Sequence, residues 1–208
     1  MKYISKGYQI ILIVLNMPFI LEEYFNKETG KEYGVGFLKK ILLIFKMIRN
    51  NLMITSGSNF LEHLTMTTKI LKIPKSQKGC VVECGCYKGI SATNLSLVAA
   101  LCDRKLEVFD SFAGLPEPAS QDRGHAILDL QEFYTYSKGD WCGSLEEVKK
   151  NIAKYGNIEF CNFNKGYFEK TLPQFKKKVV FVFEDADLLD SLKTCLKYLW
   201  PLMQENSY

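Results

Sequence analysis

Val81-Val82-Glu83-Cys84-Gly85-Cys86-Tyr87-Lys88-Gly89-Ile90-Ser91 reads as a short buried strand, a glycine turn and the start of a helix. Gly85 and Gly89 remove side chains where a ligand must approach the backbone. The helix that follows offers N–H groups and the positive end of its dipole to a negatively charged ligand group. Glu83, at the end of the strand, is an acceptor in the same crevice, which suits a ligand carrying a cation near its carboxylate. The competing reading is a tight strand-to-helix turn that holds no ligand.

A second strand, Leu106-Glu107-Val108-Phe109-Asp110, also ends in an acid. In an α/β nucleotide site, an acid at that place accepts hydrogen bonds from ribose hydroxyls. The turn is G-x-x-x-G and not G-x-G-x-x-G, which argues against an ordinary NAD or FAD fingerprint. Both acids could simply pair with lysines, but their spacing around the glycine turn favours a ligand. Glu-x-Gly-x-x-x-Gly with a later strand-end acid resembles the S-adenosylmethionine site of class I methyltransferases.

Further along, Ile158–Phe163 and Val179–Phe183 read as the third and fourth strands, the last being the most apolar. Helices are expected over Ser58–Leu71 with Ser58 as its cap, Ser91–Leu101, Ser144–Tyr155 and Leu188–Trp200. This order predicts an α/β fold: a parallel, Rossmann-like sheet with right-handed crossovers and helices on both faces. Gly85, Asp110, Gly166 and Asp185 then fall at the carboxyl ends of the strands, where such sheets bind ligands. Residues 119–143, with His125, Tyr134, Tyr136, Asp140 and Trp141, form a long irregular insert placed as a substrate lid.

Residues 1–57 are expected as an apolar, helical appendage and 58–208 as the α/β domain. The apolar run Gln9–Leu21 follows Lys2 and Lys6 but is broken by Asn16 and Pro18, and no small-residue cleavage site follows. It is shorter than the roughly 20 apolar residues a spanning helix needs. Phe37–Ile54 reads as an amphipathic helix carrying Phe37, Leu38, Ile41, Leu42, Phe45, Ile48 and Leu52 at three- and four-residue steps. A membrane-surface helix is the less favoured reading; a helix docked on the domain with its lysines in water is preferred.

The 208 residues are 47% apolar, enough for a core, with a formal charge of +4 spread among acids. That balance does not indicate a nucleic-acid partner. Seven cysteines, an odd number, lie mostly in apolar runs and show no zinc spacing. Buried free thiols in a reducing compartment, the cytoplasm, are expected.

Several stretches together resemble the macrocin O-methyltransferase (TylF/MycF-like) family over about residues 60–203. They are Val81–Ser91, Asp110-Ser111-Phe112-Ala113-Gly114-Leu115-Pro116, Ser144–Gly156, Gly166–Pro173 and Asp185-Ala186-Asp187-Leu188-Leu189-Asp190-Ser191. The resemblance implies an S-adenosylmethionine-dependent O-methyltransferase acting on a hydroxyl of a sugar or similar small molecule, with magnesium as a further cofactor. By position, Glu83, Gly85, Gly89 and Ser91 would hold the methionine end, and Asp110 the ribose, with Ser111 beside it. Thr65 and Met66 match a pair that touches cofactor, and Gly166 is counted with the same set. Asp185 would be the first metal carboxylate. Asp187 is either its helper or the cap of the last helix. His125 is the candidate base, against the plainer reading of a solvated loop histidine.

In the family, further metal ligands come from an Asp-Asp pair beyond the next strand, past the last residue of this sequence. The sheet is therefore expected to be C-terminally incomplete, and a methyltransferase-fold interaction protein without activity stands as the alternative function. The strand ending at Phe183 would then be an apolar edge, expected to be covered by the N-terminal helices or by a second copy in a homo-oligomer.

Overall fold

The computed structural model describes residue 15 and residues 17–55, 57–122 and 136–208. His125 and Tyr134 lie outside them. Four parallel strands, β1 (Cys80–Cys84), β2 (Leu106–Asp110), β3 (Cys161–Lys165) and β4 (Val179–Glu184), form one sheet in the order β3-β2-β1-β4. The helices are α1 (Phe37–Met53), α2 (Phe60–Lys72), α3 (Ile90–Leu101), α4 (Leu145–Tyr155), the single turn α5 (Phe168–Thr171) and α6 (Leu189–Leu199). Residues 17–25 are also helical.

Both faces of the sheet are covered, which is why its central strands read as nearly unbroken apolar runs. Val81, Leu106, Val108 and Val180 face one core, shared with Leu64 and Ile70 of α2, Leu95 and Val98 of α3 and Ile152 of α4. Cys80, Val82, Cys84, Phe109 and Val179 face the other, closed by Leu172, Phe175 and, from α6, Cys195 and Leu199. The alternation along β1 is the period of two that a strand imposes.

Three local expectations are corrected. Ile158–Phe160 forms a 3-10 turn and β3 begins only at Cys161. Its polar Asn162 turns to the carboxylate of Glu107 on β2, as suits a strand with one open side. Ser58 does not cap α2. Asn59 does, accepting from the Leu61 and Glu62 N–H groups, while Glu62 returns a bond to the Asn59 N–H in a complete capping box. The expected cover of β4 is different too, since the chain's own residues 203–208 run along it. Gln204 N–H donates to the Val179 carbonyl (3.0 Å), Tyr208 N–H to that of Val180 (3.1 Å), and Val182 N–H to that of Tyr208 (2.8 Å).

Helix α1 packs on α2 and α3, but not by the face its periodicity suggests. Leu43 and Met47 are buried together with Lys40 and Asn50, while Phe37, Leu38, Leu42, Phe45 and Leu52 are exposed. Lys40 can be buried because its ammonium donates to the Asn26 carbonyl (2.8 Å) and sits over the Tyr24 ring. Asn50 belongs to the polar relay described below. Among the described residues, no helix is long and apolar enough to cross a membrane.

Candidate functional site

The loops that leave the carboxyl ends of the strands are stitched to one another. Gly85 N–H donates to the Phe109 carbonyl, Asp185 N–H to that of Cys84, and Gly166 N–H to that of Asp110, each at 2.9 Å. Between these loops and α2 lies a cavity of about 530 Å³. Thr65, Met66, Gly85, Ser91, Asp110, Ser111, Asp185 and Asp187 all line it. Gly89 and Gly166 belong to the turns beside it, and Glu83 lies buried in β1. Gly85, Asp110, Gly166 and Asp185 thus lie at the carboxyl ends of the strands, as expected, and His125 lies outside the described residues.

Gly85 works less directly than its sequence position suggests. Its φ is +85°, and a Cβ there would overlap the carbonyl oxygen of Asp185. The missing side chain lets the loops after β1 and β4 approach each other, and the crevice follows from that approach. Asp110 also has a role the sequence hides. One carboxylate oxygen accepts from the Cys86 N–H and the other from the Phe112 N–H, both at 2.7 Å. The acid therefore holds both the glycine turn and its own loop, and each oxygen keeps a lone pair for a ligand hydroxyl. Ser111 is similarly engaged, donating to the Gly114 carbonyl at 2.7 Å.

Glu83 is wholly buried, and neither carboxylate oxygen has a hydrogen-bond partner. Burial pushes its carboxyl up to about 8; the nearby Ser91 hydroxyl opposes the shift, and Asp185 and Asp110 add to it. An orphaned acid beneath the floor of a cavity is a group that a ligand cation would satisfy.

On the other side, Asp185 is exposed as a residue, but partial desolvation by the loops around it first, then the charges of Asp187 and Glu62, raises its carboxyl to about 6. Asp187 has a left-handed backbone and accepts from the Tyr136 hydroxyl at 3.1 Å. Burial raises its carboxyl and Tyr136 works against that shift. It does not cap α6, correcting one of the two sequence readings. The Leu189 N–H is instead taken by Asp122, 2.9 Å away, from the flank of the insert. Among the described residues, no three Cys, His, Asp or Glu side chains form a group able to hold a metal ion.

The described flanks of the insert close one wall. They pair through Leu115 N–H to the Asp140 carbonyl and Gly139 N–H to the Leu115 carbonyl, both 2.9 Å. Trp141 meets Tyr87 edge to face, with ring centroids 5.2 Å apart, and both line the cavity with Leu115, Pro116, Tyr167 and Phe168. Such amphipathic rings suit a flat or sugar-like ligand.

A buried polar relay reaches the cavity rim from α1. Arg49 donates through Nε and Nη2 to Asn50 Oδ1 (3.3 and 3.0 Å). Asn50 Nδ2 reaches Asn94 Oδ1 (2.9 Å), Asn94 Nδ2 meets His63 Nδ1 (2.8 Å), and His63 Nε2 meets Ser58 Oγ (2.9 Å). A guanidinium can only donate, so it fixes both amide orientations in turn. His63 Nδ1 is therefore an acceptor, and the ring proton is on Nε2, aimed at Ser58. Neither histidine nor relay was legible in the sequence, since nothing there joins positions so far apart.

Burial depresses His63 to about 4. Its neutral form stabilises the fold above its ordinary value of 6.5, and that contribution is lost as pH falls toward 4. The loss is expected to reach roughly 3 kcal/mol, from about 1.4 kcal/mol per pKa unit. Urea unfolding of the parent and of His63→Gln across this window should show a gap of that size in acid sensitivity. Parallel curves would assign the acid loss elsewhere.

A family model described as macrocin-O-methyltransferase (TylF) matches residues 52–208. No curated protein matches the chain. Among solved structures, the O-methyltransferase NovP is similar at 24% identity and a TM-score of 0.57, over 70% of this chain and 61% of that one. The match thus spans about three fifths of the length of NovP. The calicheamicin methyltransferase CalS11 is similar at 14% identity and a TM-score of 0.54, over 81% of this chain and 76% of that one. At these identities the likeness is one of fold.

Proposed function

The chain belongs to the macrocin-O-methyltransferase (TylF) family, and from that premise we propose that it is an S-adenosylmethionine-dependent O-methyltransferase whose acceptor is a hydroxyl of a sugar or similar small molecule. The observation that carries this reading is Glu83, a fully buried carboxyl group with both oxygens unpartnered beside a cavity at the strand ends. S-adenosylmethionine carries an ammonium that would satisfy that acid, a carboxylate suited to the start of α3 at Ile90 and Ser91, and a ribose suited to the spare lone pairs of Asp110. When bound, it supplies an electrophilic methyl group on a sulfonium.

The chain's own residues do the rest by alignment. Glu83, Gly85, Gly89 and Ser91 would hold the amino-acid end, Asp110 and Ser111 the ribose side, and Thr65, Met66 and Gly166 the flanks. Tyr87, Trp141 and Tyr167 keep water from one wall. Asp185 and Asp187 would hold a magnesium ion, since two carboxylates completed by water and substrate oxygens match its preference for hard ligands. Such an ion would lower the pKa of an acceptor hydroxyl. His125, in the insert, is our candidate base. The free thiols support a cytoplasmic setting.

Isothermal calorimetry of the full chain with S-adenosylmethionine is the first test. One saturable site, competed by S-adenosylhomocysteine, is expected. A folded chain that binds neither would defeat the reading and leave a methyltransferase-fold interaction protein.

A further inference from the structure

We infer that the outward face of α1 is a docking surface for an anionic phospholipid membrane. Six large apolar side chains, Phe37, Leu38, Leu42, Phe45, Leu52 and Met53, are between 59% and 80% exposed on this one helix. With about 100° between successive residues, they fall on the side opposite Leu43 and Met47, which are buried. A patch of this kind on a soluble chain marks an interaction surface.

Charge selects the occupant. The 17 residues of α1 include Lys39, Lys40, Lys46 and Arg49 and no acid. Lys40 is turned inward and Arg49 is held by Asn50 and the Tyr155 ring. Lys39 and Lys46 are exposed and border the apolar arc, the arrangement of an interfacial amphipathic helix that sinks its apolar face among acyl chains and sets its lysines at headgroup level. A second copy of the chain fits less well. A two-fold pairing through α1 would set the same cations against one another with no acid on either helix. The surface also continues beyond α1: Phe37 contacts Phe25, with ring centroids 5.3 Å apart, and Phe19 in that preceding helical segment is 71% exposed.

The test is flotation of the full chain with vesicles of phosphatidylcholine alone or mixed with phosphatidylglycerol. Binding to the mixed vesicles is expected, weakened by salt and by omission of the anionic lipid. Lys39→Gln/Lys46→Gln should lower partition roughly 30-fold, each lysine near an anionic surface contributing about fivefold. Leu38→Glu/Phe45→Glu should abolish it while leaving the thermal midpoint unchanged, because both side chains point away from the core. No flotation, or flotation that survives both double variants, would overturn the proposal. So would a dimer, seen by light scattering, that Leu38→Glu/Phe45→Glu dissociates in a chain that ignores vesicles.

Discussion

A Glu83→Gln chain is expected to bind S-adenosylmethionine at least about 30-fold more weakly than the parent, and yet to be the more stable protein at alkaline pH. Removing one member of a buried, hydrogen-bonded charge pair ordinarily costs about 2 kcal/mol or more of binding, which is that factor. The stability effect has the opposite sign because the acid is unpartnered in the empty protein. Its carboxyl lies at about 8 in the fold against 4.5 in the open chain. Below 4.5 both states carry the neutral acid and glutamine gains nothing. As pH rises toward 8 the folded parent is penalised progressively, up to an order of 5 kcal/mol at about 1.4 kcal/mol per pKa unit. Unfolding of the two chains at several pH values should show the gap opening across that window. A cation arriving at Glu83 favours its ionised form, so binding near neutral pH should also release a proton. Calorimetry in buffers of different ionisation heat reads that proton. Equal affinity in the glutamine chain, with no proton released by the parent, would remove Glu83 from the site.

The second large effect is expected at Gly85. Gly85→Ala places a side chain at a left-handed φ and against the Asp185 carbonyl. The backbone conformation costs roughly 1–2 kcal/mol and the overlap roughly 1–3. A loss of at least about 2 kcal/mol in urea unfolding should therefore accompany the loss of cofactor binding. A variant with parental stability and no binding would mean that the glycine serves ligand access alone; one with parental stability and parental binding would mean that the two loops adjust freely.

The fold was legible where burial on both sides of a strand leaves an apolar run, as in Val179–Phe183, and where a helix begins at Ser144 with an acid at the third position. Where several physical solutions share one pattern, it was not. Ile158-Glu159-Phe160 alternates like a strand but closes a 3-10 turn. Ser58 and Asn59 are both good caps; only Asn59 has Glu62 three residues on, and that signal was available. Periodicity showed that α1 is amphipathic without showing which side is inward, because buried Lys40 and Asn50 depend on partners distant in sequence. At the cavity, the positions of Gly85 and Asp110 at neighbouring strand ends were legible by spacing alone. Their backbone duties were not, since the contacts of Asp110 with Cys86 and of Gly85 with Asp185 join separate strand ends.

The relay from Arg49 has a consequence for what this pocket refuses to do. Ser58, His63 and Asn94 have the membership of a hydrolase triad, and the spacing of one. They are wired backwards. Because an arginine that never gives up its proton sets the polarity, the imidazole already spends its hydrogen on the serine and has no lone pair with which to make an alkoxide. Ser58 should therefore resist acylation, by ester substrates and by acylating reagents alike.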